Sequence, residues 1–160
     1  MSTAPTTPVP VAYEHAARRH LADAETLFSQ GRMANAGQLY GFAAECGLKA
    51  MLLACGVVPD VDGGIPGKHP AKPEKQHPLR QHMPSLTGRI AAHGQLIPDG
   101  PRAANYMATM PNLEKNFNDW SVDHRYWRET ALPLASVIHW RSAAQEVSTM
   151  LDQAKQDGVL

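Results

Sequence analysis

The longest apolar stretch of the chain runs from Met33 to Cys55, and its residues are apolar or small on nearly every helical face. Such a stretch is long enough for about six helical turns and predicts the central helix of a bundle. Its three glycines, Gly37, Gly41 and Gly47, each cost about 1 kcal/mol of helix propensity relative to alanine. We therefore expect neighbouring helices to approach this helix closely at the glycines.

An amphipathic helix is predicted before the central one, from Val11 to Gln30, and Gly31 is expected to close it. The very short connection to the central helix predicts that the two helices lie antiparallel, as a helical hairpin over residues 11–55. The apolar positions of the first helix recur every three or four residues: Tyr13, Ala17, Leu21, Ala24 and Phe28.

Prolines and glycines are frequent from Gly56 to about residue 79, and they predict a long loop without regular structure at about 56–80. This loop has two interpretations: a solvated linker, or a basic segment that contacts phosphate groups. Between residues 68 and 82 only Glu74 offsets the basic and histidine side chains: Lys68, His69, Lys72, Lys75, His77, Arg80 and His82.

Three further helical regions are predicted after the loop. The first covers Pro84–Gln95, and residues 102–118 are expected to form two pieces because Pro111 interrupts them. The last helix is predicted to begin at Thr130 as its N-cap, with Pro133 in the first turn. No run alternates apolar and polar residues as a strand does, so the predicted fold class is all-α. The residues expected to face the core in the first and last of these helices are Met83, Leu86, Ile90, Val137, Trp140, Ala144, Val147 and Leu151.

Length and charge bound the class of protein. At 160 residues the chain is predicted to form one domain, residues 11–157, behind a disordered tail at residues 1–10. It carries 15 basic and 15 acidic residues, so a contact with nucleic acid requires a local patch. The tail lacks the features of a secretory signal, and no apolar run reaches the roughly 18 residues that cross a bilayer. We therefore expect a cytoplasmic protein that binds no membrane.

The cysteines and histidines do not predict a metal site or any other cofactor. Cys46 and Cys55 are placed about 180° apart around one predicted helix, so they cannot bond to each other, which fits a reducing compartment. The eight histidines show no His-x-x-x-His spacing, and no Cys-x-x-Cys pair occurs. Surface and capping roles are the plainer interpretation of the histidines.

A turn rich in aromatic and polar residues, from Asn118 to Trp127, is the candidate functional segment. Aromatic rings beside arginines suit base stacking and phosphate contact. The alternative is a structural corner in which the indoles fill the core, and that interpretation fits Trp140 best. The candidate ligand-binding residues are Trp120, Asp123, His124, Arg125, Tyr126 and Arg128.

Signals for other chemistry are weak. No serine lies in a Gly-x-Ser-x-Gly turn, and the glycines near Lys68 lack the ending of a phosphate-binding loop. A pair of carboxylates for acid and base catalysis would require Glu45, Asp119 and Asp123 to meet in space.

Glu45 lies in the middle of the predicted central helix, where an isolated buried carboxylate is costly. We therefore predict a structural ion pair with a cation from another helix, with Arg125 as the first choice. The alternative partner is Lys49, one turn further along the same helix.

Three segments together resemble the HEPN family of small all-α domains, which occur in prokaryotic toxin–antitoxin, defence and nucleotide-handling systems. LYGFAAECGLKAML, from Leu39 to Leu52, is similar to the second helix of the family. WSVDHRY, from Trp120 to Tyr126, is similar to a turn of many members, and HPLRQHMPSL, from His77, is similar to the entry to the third helix. The resemblance implies an up-and-down bundle of four or five helices, a homodimer, and a nucleotidyltransferase-like antitoxin as a partner.

Ribonuclease members of that family carry an arginine followed, after four to six residues, by a histidine. This chain has no such pair. Arg89 and His93 come near to the pattern, but only three residues separate them. If the chain were a ribonuclease, His124 and Arg125 would be the polar pair that replaces the motif.

Three functional hypotheses follow from the sequence. The first is a HEPN-like binding module that holds RNA, a nucleotide or a partner protein at residues 118–128. The second is a divergent, metal-independent ribonuclease toxin. The third is an interaction or assembly protein without a ligand.

Overall fold

Three long helices pack against one another in the computed structural model, which describes residues 10–160. They are α1 (Tyr13–Ser29), α2 (Met33–Ala54) and α6 (Val137–Gln156). The disordered tail predicted at residues 1–10 lies outside the described residues except for Pro10. Within the described part of the chain, no helix combines the length and the apolar composition that a membrane-spanning helix needs.

Helices α1 and α2 form the predicted antiparallel hairpin. Gly31 has a φ of +73°, a left-handed conformation that glycine adopts at no steric cost, and it follows the end of α1 as predicted. At this end of the hairpin, Phe28 and Tyr40 make an edge-to-face contact with ring centroids 6.3 Å apart. At the opposite end, the Lys49 ammonium lies 5.8 Å from the centroid of the Tyr13 ring.

Helix α6 runs parallel to α2 and antiparallel to α1. Two ion pairs show the antiparallel direction of α6 and α1. Arg18 contacts Asp152 at 2.7 Å near one end of α1, and Glu25 contacts Arg141 at 2.7 Å near the other. The positions predicted to face inward on α6 are buried, Trp140 among them. Three helices thus share one core around α2, whose buried side chains include Tyr40, Leu48, Met51 and Leu52.

The helices between α2 and α6 are short: α3 (Ser85–Ala92), α4 (Gly100–Ala108) and α5 (Leu113–Asn116). The interruption predicted at Pro111 is confirmed, since it lies between α4 and α5. Asp99 caps α4 by accepting a hydrogen bond from the Arg102 amide at 3.3 Å. A helical class is therefore confirmed, but α3 to α5 are too short to run the length of α2, and the specific bundle of four or five helices is not confirmed.

The prediction that residues 56–80 lack regular structure is wrong, because they contain a two-stranded antiparallel hairpin. Its strands are β1 (Lys68–His69) and β2 (Lys72–Gln76). Pro70 lies in the turn between the strands, where its fixed φ is tolerated. Pro73 lies in β2, which pairs with β1 and with no other strand. Both strands are therefore edge strands, and an edge strand accepts proline at a position where no backbone N–H donor is needed.

The predicted start of the last helix is also wrong: α6 begins at Val137, and Thr130 is not its N-cap. Leu132 has a ψ of 142°, the extended conformation that a following proline imposes on the preceding residue. Pro133 therefore separates two short 3-10 helices, Glu129–Ala131 and Leu134–Ser136, from which the chain continues into α6.

The predicted close approach of a neighbouring helix is confirmed at Gly37 and Gly47, where the neighbour is α6, whereas Gly41 is approached by Trp120, which lies outside the helices. A Cβ atom at Gly37 would lie 2.7 Å from the Trp140 ring, and one at Gly41 would lie 1.9 Å from the Trp120 ring. At Gly47 the nearest atom would be a Val147 methyl at 2.3 Å. None of these positions has room for a methyl group without movement of its neighbour.

Gly41→Ala is expected to lower the free energy of unfolding by at least about 2 kcal/mol, because the enclosed Trp120 indole must move. Gly88→Ala in α3 is the matched control, since its new Cβ would meet nothing closer than a Glu114 oxygen at 3.9 Å. That control is expected to stabilise the protein by up to about 1 kcal/mol. Urea unfolding of the three proteins measures both effects, and equal stability of the two variants would contradict this account of Gly41.

Candidate functional site

Trp120 anchors the candidate turn to the central helix. Its indole is buried, and its N–H donates to the Gly37 carbonyl of α2 at 3.0 Å. Phe42 and Phe117 make edge-to-face contacts with the same ring. Burial leaves this indole no surface for a ligand, so the prediction that Trp120 binds one is corrected: it positions the turn instead.

A second indole fixes the start of the turn to α6. The Trp140 N–H donates to one Asp119 carboxylate oxygen at 2.9 Å, and the Ser136 hydroxyl donates to the other. Asp119 thereby joins the turn to the residue before α6. Its carboxylate is engaged in this structural role and does not meet Glu45, so the acid and base pair considered from the sequence is not assembled.

Residues 122–126 of the turn form a short 3-10 helix. The Ser121 hydroxyl accepts a hydrogen bond from the Asp123 amide at 3.1 Å and caps this helix. Two tryptophans flank the imidazole of His124, with ring centroids 4.6 Å away at Trp127 and 5.7 Å away at Trp140. His124 is buried, and this burial lowers its pKa despite the opposing charges of Asp119 and Asp123.

The far side of the turn faces solvent. Tyr126 is 74% exposed and Trp127 is 50% exposed, which is unusual for rings of this size. The Arg125 guanidinium stacks 4.7 Å from the centroid of the Tyr126 ring. Within residues 10–160, Arg125 and Arg128 form no ion pair, and Asp123 is exposed beside them.

A cleft of about 180 Å³ separates this turn from the start of α2. His124, Arg125 and Trp127 line one side of it. On the other side, the Gln38 amide donates to the Val122 carbonyl at 3.2 Å, while its own oxygen is buried without a hydrogen-bond partner. The cleft is therefore bounded by an aromatic face and a cation, while the Gln38 oxygen is enclosed by the protein.

The structure brings together only part of the predicted set. His124 and Arg125 line the cleft, whereas Asp123, Tyr126 and Arg128 lie on the exposed surface of the turn beside it. Five residues that complete the lining were not predicted from the sequence: Ala34, Asn35, Gln38, Glu129 and Leu132. The one available signal was the presence of two polar residues in the otherwise apolar first turns of α2.

The predicted ion pair between Glu45 and Arg125 is wrong, and the alternative partner is the observed one. Lys49 contacts the Glu45 carboxylate at 2.6 Å, and both side chains are buried. His82 was not predicted and approaches the two carboxylate oxygens with its Nδ1 at 3.1 and 3.0 Å. Glu45 lies one helical turn beyond Gly41, next to the segment before α3 and away from the exposed Arg125 side chain.

Neither cysteine is prepared to act as a nucleophile. Burial raises the pKa of Cys46 and of Cys55 to about 11, so both thiols are protonated at neutral pH. Both are free thiols. In the part of the chain that the structure describes, no cluster of three or more histidine, cysteine or carboxylate side chains is arranged to hold a metal ion.

Comparison with protein-family models, with curated proteins and with solved structures finds no match to this chain. The resemblance to the HEPN family therefore receives no support beyond the sequence segments themselves.

Lys49→Met is expected to lower the free energy of unfolding by about 3 kcal/mol, because it removes the cation from a buried carboxylate. The double variant Glu45→Leu/Lys49→Met removes both charges and is expected to recover most of that loss. Urea unfolding measures the three proteins side by side. A double variant less stable than the single variant would show that the two charges are not coupled in this way.

The protein is expected to lose stability as the pH falls from about 6.5 towards 4.5. In the folded state burial lowers the pKa of His20, His77 and His124 below the ordinary value of 6.5. The unfolded chain therefore takes up protons in this range that the folded chain does not, and unfolding becomes more favourable. Carboxylates with lowered pKa, such as Glu25, add to this loss only near and below their ordinary value of 4.5.

Urea unfolding of the wild-type protein at several pH values measures this loss of stability. His124→Phe is the comparison variant, because it removes one of the three titrating rings. The slope of stability against pH should be shallower for that variant. A free energy of unfolding that stays constant or increases as the pH drops through this window would contradict the burial of neutral rings.

Proposed function

We propose that this chain is a binding module that holds single-stranded RNA at residues 118–128. In this proposal one base enters the cleft beside Trp127, and Tyr126 offers a second stacking surface. Arg125 and Arg128 contact the adjoining phosphates. Exposed aromatic rings beside arginines that lack ion pairs are the usual means by which proteins hold single-stranded nucleic acid.

The observation that carries the proposal is the composition of the cleft. Its volume of about 180 Å³ lies below the roughly 300–1,000 Å³ of pockets for drug-sized ligands, so it suits a group the size of one base. Trp127 supplies a flat apolar face, while the exposed Asn35 side chain can read the polar edge of a base.

The charge distribution supports a local contact. The chain has no net charge, so no long-range field attracts RNA to the whole surface. Phosphate binding at this turn would depend on two arginines and would be modest and sensitive to salt. The wider part of the proposal, a HEPN-like homodimer in a prokaryotic toxin–antitoxin or defence system, rests on the sequence resemblance alone.

Binding of a fluorescently labelled, mixed-sequence single-stranded RNA tests the proposal, with fluorescence anisotropy as the measurement. Tyr126→Ala and Arg125→Gln are each expected to weaken binding about tenfold, because each removes a stacking or charge-assisted contact. Both side chains are exposed, so these variants are expected to fold normally. Arg89→Gln, an exposed arginine in α3, is the matched control for loss of one positive charge.

Equal weakening by Arg89→Gln and Arg125→Gln would indicate attraction to the surface in general and would count against this site. Absence of measurable binding at low salt by the folded wild-type protein would overturn the proposal. A protein partner whose binding depends on Tyr126 would then be the better explanation of the exposed aromatic surface.

A second candidate function is RNA cleavage, because His124 and Arg125 line the same cleft. The imidazole is neutral near pH 7 and so able to accept the proton of an RNA 2′-hydroxyl, while the guanidinium stabilises charge on the phosphate. Loss of a measured cleavage signal in both His124→Ala and Arg125→Ala would favour this function. Cleavage that survives both substitutions would exclude this pair as its origin.

A further inference from the structure

A second cleft, of about 330 Å³, lies between the end of α2, the β-hairpin and the segment that follows α3. It shares no lining residue with the cleft at residues 118–128. Its volume falls within the range of pockets that bind small molecules. Its walls are mainly apolar and include Val57, Val58, Pro66, Leu96 and Pro98.

Backbone hydrogen bonds hold this cleft in shape. The Asp99 amide donates to the Cys55 carbonyl at 2.8 Å and ties the entry of α4 to the end of α2. On the opposite wall, the His77 amide donates to the Gly67 carbonyl at 3.1 Å. A site formed in this way needs little reorganisation when a ligand enters.

His77 contributes a buried hydrogen-bond donor to this cleft. The side chain is only 3% exposed, and its Nδ1 accepts a hydrogen bond from the Leu79 amide at 3.1 Å. Because Nδ1 is an acceptor, the neutral ring carries its proton on Nε2. A second proton on Nδ1 would face the Leu79 N–H, so the ring is held in this neutral form.

The Nε2–H of His77 has no acceptor among residues 10–160. The Nε2 atom is also accessible to solvent. Among residues 10–160, the side-chain nitrogen and oxygen atoms that are both enclosed and without a hydrogen-bond partner belong to Gln38 and Glu146, not to His77. His77 therefore presents a hydrogen-bond donor at the cleft that no protein atom satisfies. Such a donor indicates a place for a hydrogen-bond acceptor on a ligand.

A positive charge lies at the same cleft. Lys68 lines it and forms no ion pair with the residues that the structure describes. One acidic side chain, Asp60, also lines the cleft, and a hydrogen bond from the Val61 amide at 2.8 Å to one of its oxygens offsets part of its charge. The available donors are therefore an imidazole N–H and an ammonium group, a combination that recognises a carboxylate.

We propose that this cleft binds a small apolar molecule that carries one carboxylate group. The apolar body packs against Val57, Leu96 and Pro98, and the carboxylate accepts the hydrogen bond from the His77 Nε2–H and pairs with Lys68. This binding is independent of the RNA contact proposed at residues 118–128, since the two sites have no residue in common.

Benzoate is a suitable probe, and ring ¹H–¹⁵N spectra of the histidines in the full chain are the measurement. Addition of benzoate is expected to shift the His77 ring signals in a saturable way. Lys68→Gln is expected to weaken benzoate binding about fivefold, the scale of an ion pair that is partly exposed to solvent. Lys72→Gln, an exposed lysine of the same hairpin outside the cleft, is the matched control and should leave the affinity unchanged.

The His77 signals also distinguish the contribution of the carboxylate to affinity from that of the apolar ring. Benzyl alcohol has the same ring without the negative charge and should bind more weakly than benzoate. Absence of a saturable His77 shift up to the solubility limit of benzoate would overturn the proposal. Equal weakening by Lys68→Gln and Lys72→Gln would overturn it as well, since that result describes attraction to the charged hairpin as a whole.

Discussion

Two indole rings lie against the central helix at positions where only a hydrogen atom fits, and the arrangement of the rest of the chain follows from that contact. Gly37 takes part twice: its Cα faces the Trp140 ring, and its carbonyl accepts the hydrogen bond from Trp120. One residue of α2 thus sets the positions of α6 and of the turn at residues 118–128 together. Displacement of either ring would change the distance across the cleft that the turn makes with α2.

The polar side chains that contact the long helices divide into those whose hydrogen bonds are completed within the protein and those with an unused donor or acceptor. Asp119 accepts hydrogen bonds from Trp140 and Ser136, and Glu45 is paired with Lys49 and His82, so each carboxylate has two partners within the protein. The Gln38 oxygen and the His77 Nε2–H are not satisfied in this way. The Gln38 oxygen is enclosed by the protein, whereas His77 lines the second cleft, so the unused donor of His77 is the one that a ligand can reach.

The sequence predicts the long helices well because their apolar periodicity is produced directly by burial. The β-hairpin could not be predicted in this way, since every residue of β2 is exposed and no alternation marks it. The first choice of partner for Glu45, Arg125, was wrong, whereas the alternative, Lys49, is observed. His82 was not predicted because it lies 37 residues away, and nothing local to either residue signals the contact. One side of the cleft was predicted, because the aromatic and polar composition of the turn is visible in the sequence. The other side was not, since Gln38 becomes part of the site only through the packing of α2 against the turn.

The parallel arrangement of α2 and α6 has a consequence for the order of folding. Helices α1 and α2 are joined by a very short turn and can pair with little loss of chain entropy, whereas α6 reaches α2 only after the whole segment from residue 55 to residue 136 has been closed into a loop. The contacts of α6 therefore give this helical protein a higher contact order than a bundle of consecutive helices. Until α6 docks, Gly37 and Gly47 of α2 lack the side chains of α6 that cover them in the folded protein.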